Sequence, residues 1–106
     1  MADAVTEVLP EFSTELVAAL VAQGDVDLAA QVRDLLIVET CGCGDEFCAS
    51  FYVVPRPGGG WGLGHRCVPV DIDTGMVVLD VVDEVITYVE VLHRPDVAER
   101  FRRRAL

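Results

Sequence analysis

Lysine is absent from this chain of 106 residues, and all eight of its bases are arginine. Nothing in folding demands that; GC-rich coding accounts for it. The absence removes the lysine of a phosphate-cradling loop, and with it the usual GK[ST] ending. Positive charge is scarce as well. Eight bases stand against eighteen acids, for a net charge of -10. Such a surface repels nucleic-acid backbones and anionic membranes, and it suits a protein partner with a basic surface. No apolar run approaches the ~18 residues of a membrane helix. The opening MADAVTEVLP carries Asp3 and Glu7 and no basic n-region, so no signal peptide is expected. A cytoplasmic location follows as the expectation, where thiols stay mostly reduced. Internal repeats and the common C-x2-C zinc knuckle are missing too.

What is present is enough apolar material for one core. Hydrophobic residues make up 52% of the chain, which excludes general disorder. The length fits a single domain spanning residues 1–106, since domains of about that size are common. Charge is unevenly spread: residues 1–55 hold ten acids and only Arg33, whereas residues 94–106 hold five arginines against Asp96 and Glu99. An acidic front and a basic tail attract each other within a chain, or between copies through the tail Phe101–Leu106, giving a homodimer. The plainer alternative is two solvated faces, because surface charge pairs contribute little.

Helices come first. Val5, Val8, Leu9, Phe12, Leu16, Val17, Leu20 and Val21 recur at helical spacing, and Pro10 suits a first turn, so a helix is predicted over Pro10–Gln23. Residues 2–9 form a short preceding turn. Gly24 stops the helix, and Asp25 caps a second over Val26–Leu36. Strands follow: Leu36–Thr40, then Ala49–Val54, closed by Pro55 and Pro57. His65–Ile72 holds Pro69, which argues for a sheet edge. Asp73-Thr74-Gly75 is a turn signal. Met76–Val81 and Val85–Leu92 form a hairpin around Val82-Asp83-Glu84. A last helix opens at Pro95, capped by Asp96. The order predicts an α+β fold: an N-terminal helical hairpin on a mostly antiparallel meander of four to five strands, with a short C-terminal helix.

The chemistry lies in the cysteines. Cys41, Cys43 and Cys48 fall within eight residues, as C-x-C-x4-C, and His65-x-Cys67 follows a glycine-rich loop. Zinc takes four donors from Cys and His. On extended chain, residues two apart share a side. Cys41 with Cys43, and His65 with Cys67, therefore each offer two donors, and Gly42 and Gly44 free the backbone to bend around an ion. The expectation is one structural zinc site drawing on Cys41, Cys43, Cys48, Cys67 and His65. Buried or reactive free thiols are the main alternative, since free cysteine is often buried. A disulfide is the third, with Cys43–Cys48 or Cys41–Cys48 less strained than Cys41–Cys43.

Other features carry less. In GGGWGLGH the loop precedes no helix, so nucleotide binding is not expected. Trp61 is expected to fold back onto the core, the alternative being an exposed binding anchor. A Cys67–His65 nucleophile pair is disfavoured, because side chains two apart on a strand rarely meet in the required geometry. His93 reads as a surface residue. Asp71, Asp73, Asp80, Asp83, Glu84 and Glu90 gather on the strand region, Glu90 on the face of Ile86, Tyr88 and Leu92. No base or nucleophile is placed with them, so they read as solvated acids.

The segment CGCGDEFC, the glycine-rich stretch and GMVVLDVVDEVITYVEVLHRPDV together resemble small bacterial domains of unknown function. The resemblance spans about half the chain, implies a small α+β protein and brings no activity with it. The function expected is a non-enzymatic acidic interaction module stabilised by structural zinc. The alternative is a small thiol-dependent enzyme or redox protein using the four cysteines.

Overall fold

The structure, a computed structural model, describes residues 3–104. Ala105 and Leu106, the end of the basic tail, lie outside the described residues. The strand β1 (Asp3–Ala4) leads into a one-turn helix, α1 (Val5–Val8), and then into α2 (Pro10–Ala22). Pro10 sits in the first turn of α2, as its fixed φ allows. Phe12, Leu16 and Leu20, about one turn apart, are buried and form the apolar stripe of α2. The helix α3 (Val26–Gln31) turns back against α2. It stops short of the Leu36 limit that the apolar spacing predicts. A 3₁₀ turn over Val32–Asp34 tightens its end, and β2 (Leu36–Ile37) is drawn off to pair with β1. Asp25 precedes α3 without a side-chain cap; it accepts from Gln23 Nε2 at 2.8 Å instead.

The second sheet has five antiparallel strands in the order β3-β4-β7-β6-β5. They are β3 (Glu39–Thr40), β4 (Phe51–Tyr52), β5 (His65–Val70), β6 (Met76–Val82) and β7 (Val85–Leu92). The fold is α+β as the sequence pattern implies, and Pro69 does lie on an edge strand. Only β5-β6-β7 is a true meander. After β4 the chain crosses through the glycine-rich loop to the far edge, and β4 pairs with β7. Val68, Leu79, Val89 and Phe51 meet side by side on the inner face, all buried against the helices. The other face carries the row Cys67, Asp80, Tyr88, Tyr52, Glu39.

Two-residue turn chemistry fixes the β6–β7 hairpin. Asp83 and Glu84 have φ of 50° and 68°. Tight hairpins need such a positive pair. Gln31 of α3 clamps this turn, donating to Glu84 O at 2.7 Å and accepting from Ile86 N at 3.0 Å. A register shift at Asp80/Val81 makes Thr87 an extra residue in β7, a β-bulge. Ile86 therefore faces the core, opposite Val81, while Tyr88 and Glu90 face outward. The shared face expected for Ile86, Tyr88 and Glu90 is broken by this bulge. Trp61 folds back, but onto Tyr52 on the outer side of the sheet rather than onto the core, ring centres 6.2 Å apart and the side chain half-buried.

The acidic front meets the basic tail within one chain. The helix α4 (Pro95–Arg104) sends Arg100 to Glu11 at 2.8 Å and Arg104 to Asp3. Arg94, buried just before α4, binds Glu15 and Asp96 at 2.8 and 2.9 Å and lies over the Phe12 ring. Asp96 is thus a clamp within the first turn. The Arg94 guanidinium holds its carboxyl below the usual range. A depressed carboxylate adds stability above its unfolded pKa, and that contribution disappears as pH falls through the folded value. We therefore expect Asp96→Asn to be less stable than the parent at neutral pH, with a smaller gap at about pH 2.5 as the parent's carboxylate takes up its proton. Urea midpoints at the two pH values check this; an undiminished gap in acid would remove the ion pair as its cause.

Candidate metal centre

The β3–β4 connection, residues 41–50, holds three cysteines within its first eight residues. Cys41 extends β3, its amide donating to Ser50 O at 2.9 Å. Cys48 closes the other side, its amide donating to Asp45 O at 3.1 Å, and it bridges to Leu92 at the end of β7. Between them Gly42 and Gly44 have φ of +73° and +84°. L-residues with a Cβ resist that conformation, so the two glycines let the loop curl inward. The result is that the sulfurs of Cys41, Cys43 and Cys48 all lie within 4.8 Å of one another. Phe47 anchors the loop: its carbonyl accepts from His93 N at 2.8 Å, and its ring stacks on His93, centres 5.2 Å apart. His93 is that surface partner and takes no place among the thiols.

The three thiols are unequal. Partial burial pushes the Cys48 thiol up. The hydroxyl and amide of Ser50, helped by Cys43 and Cys41, outweigh that and hold it below its ordinary value. The Asp45 amide pulls Cys43 down, but the Cys48 thiol, desolvation and Cys41 push it up to about 11. Cys48 therefore ionises more readily than Cys43. Tyr88 is raised above the usual phenol range, by burial first and then by its contact with Cys41. A cleft of about 480 Å³ opens beside the thiols, with Asp45, Glu46, Phe101 and Arg102 on its walls. All four cysteines carry free thiols.

Set against family models, curated proteins and solved structures, the chain has no match. Its chemistry rests on these side chains alone.

His65 and Cys67 do not join the loop thiols. They lie on β5, and the loop joins β3 to β4 at the opposite edge. Four strand spacings separate those edges, about 19 Å at ~4.8 Å each, so a shared ion is out of reach. The single five-donor centre expected from spacing is corrected to two separate groups: Cys41, Cys43 and Cys48, and His65, Cys67 and Asp80. The split follows from β4 pairing with β7 rather than with β5. Asp80 is the residue that spacing alone misses. Its signal was strand register: counting outward from the Asp73–Gly75 turn brings it level with Cys67, as observed.

Proposed function

We propose that this protein is a non-enzymatic, acidic interaction module whose β3–β4 loop is pinned by a zinc ion on Cys41, Cys43 and Cys48. The convergence of three sulfurs within 4.8 Å on one short loop carries this reading. Thiolates favour zinc and other soft ions. Gly42 to Phe47 are all exposed, so no core packing holds the thiols in place. The nearby amides of Asp45 and Ser50 favour the ionised forms of Cys43 and Cys48. Polar groups of this kind around the sulfurs supply the outer-sphere support that metal thiolates use. Three thiolates leave one tetrahedral position for water, for Asp45 or Glu46, or for a donor from a partner. The net charge of -10 favours a basic partner.

A second reading has one observation in its favour. The Cys48 thiol is lowered and flanked by two others, which suits a reactive or redox cysteine. Metal content and alkylation separate the two. For the module, purified protein carries about one zinc on the loop thiols, and a chelator lowers its melting temperature. Added zinc then protects Cys41, Cys43 and Cys48 from iodoacetamide. Protein without metal, with a melting point unmoved by chelator and with Cys48 alkylated first at any zinc level, would overturn the module reading in favour of the thiol one.

A further inference from the structure

The sequence pairs His65 and Cys67 two residues apart on β5, and register sets Asp80 of β6 directly opposite Cys67. All three side chains project from the outer face of the sheet. His65 Nε2 lies 2.8 Å from Asp80 Oδ1, Cys67 Sγ lies 3.3 Å from the same oxygen, and Sγ to Nε2 is 3.9 Å. One nitrogen, one sulfur and one oxygen thus form a small triangle.

The geometry argues against a nucleophile triad. There the thiol engages one imidazole nitrogen while the acid orients the ring through the other. Here Cys67 and Asp80 both face Nε2, so the acid does not orient a base toward the sulfur. A shared ion explains the arrangement better. Donors at the usual ~2.0–2.3 Å from a tetrahedral zinc stand about 3.3–3.8 Å from each other. The observed edges of 2.8, 3.3 and 3.9 Å need shifts of only a few tenths of an ångström. Two hydrogen-bonded strands hold the trio rigidly, and the side chains of His65 and Asp80 retain 29% and 21% exposure, enough for an ion to enter.

We infer that His65, Cys67 and Asp80 form a second site, independent of the loop thiols, for a divalent cation of the zinc class, with one position left open to solvent. Its donor set is mixed N, S and O, where that of the loop is all sulfur. The two sites therefore differ in preference, the loop for softer ions and the sheet site for borderline ones such as Zn²⁺ and Co²⁺.

The test uses the full chain with Cys41, Cys43 and Cys48 all changed to serine, its fold checked by circular dichroism, and Co²⁺ as the probe. The expected result is one equivalent of cobalt with tetrahedral d–d bands and a single-thiolate charge-transfer band. Adding Cys67→Ser should abolish that band, and adding Asp80→Asn should weaken binding by more than the ~10–100-fold that loss of an outer partner costs. If the triple variant does not fold, zinc stoichiometry by chelator competition replaces it. Cys67→Ser alone should then lower the parent's count by one equivalent, from two to one if the loop also binds, or from one to none if it does not. A folded triple variant that takes up no cobalt overturns the site. So does a zinc count unchanged by Cys67→Ser.

Discussion

Phe51→Ala should cost the fold about 3–5 kcal/mol, the usual loss when a buried phenylalanine is truncated. Domains of this size hold only about 5–15 kcal/mol in total, so the variant will be close to unfolding. Phe51 is fully buried in β4, opposite Val89, and meets the edge of Phe101 at 5.6 Å with the rings 72° apart. It therefore ties three elements together: β7, β4 and, through Phe101, helix α4. The strands β3 and β4 are only two residues long. Phe51 is their fully buried side chain, so losing it should also loosen the thiols on the loop between them. Leu63, 97% exposed, supplies the control. Leu63→Ala should change stability by less than about 0.5 kcal/mol. Denaturant midpoints for the two variants measure the difference. A cost below about 1 kcal/mol for Phe51→Ala would mean that the β3–β4 hairpin is not anchored through its inner face.

The fold was legible where local rules decide the outcome. The stripe of Phe12, Leu16 and Leu20 marks a helix whatever packs against it, and the acidic break at Asp83-Glu84 between two β-branched runs marks a hairpin. Pro69 marks an edge because it has no amide to donate. The errors arise where distant chain decides. Leu36–Thr40 reads as one strand, yet its two halves pair with different partners, β1 and β4. The Thr87 bulge inverts the facing of Ile86, and nothing within β7 itself announces it. The candidate site divides the same way. The loop thiols are local, so their spacing and two glycines were sufficient to bring them together. Whether His65 and Cys67 could reach them depended on strand order, which residue spacing does not encode. Register within the β5–β6 hairpin is again a local matter, and it supplies Asp80.

Zinc binding at the loop should strengthen at least tenfold for each unit rise in pH around neutrality. The sign follows from Cys43. Its thiol, pushed up to about 11, stays protonated in the metal-free protein at neutral pH. It must therefore release a full proton when it ligates. One proton released gives a tenfold change per pH unit, and any further proton from the other thiols steepens the slope. Acid therefore weakens zinc binding. At a free zinc concentration a thousand times the Kd, occupancy would stabilise the native state by up to about 4 kcal/mol. All three ligands lie within eight residues, so the unfolded chain also binds zinc to some extent, and the realised gain should fall below that limit. Kd measured by competition at two pH values, with melting curves at matched saturation, tests both parts. Cys43→Ser should weaken binding and flatten the slope together. A parent affinity that does not change with pH would show that Cys43 does not bind as a thiolate, and three-sulfur coordination would fall with it.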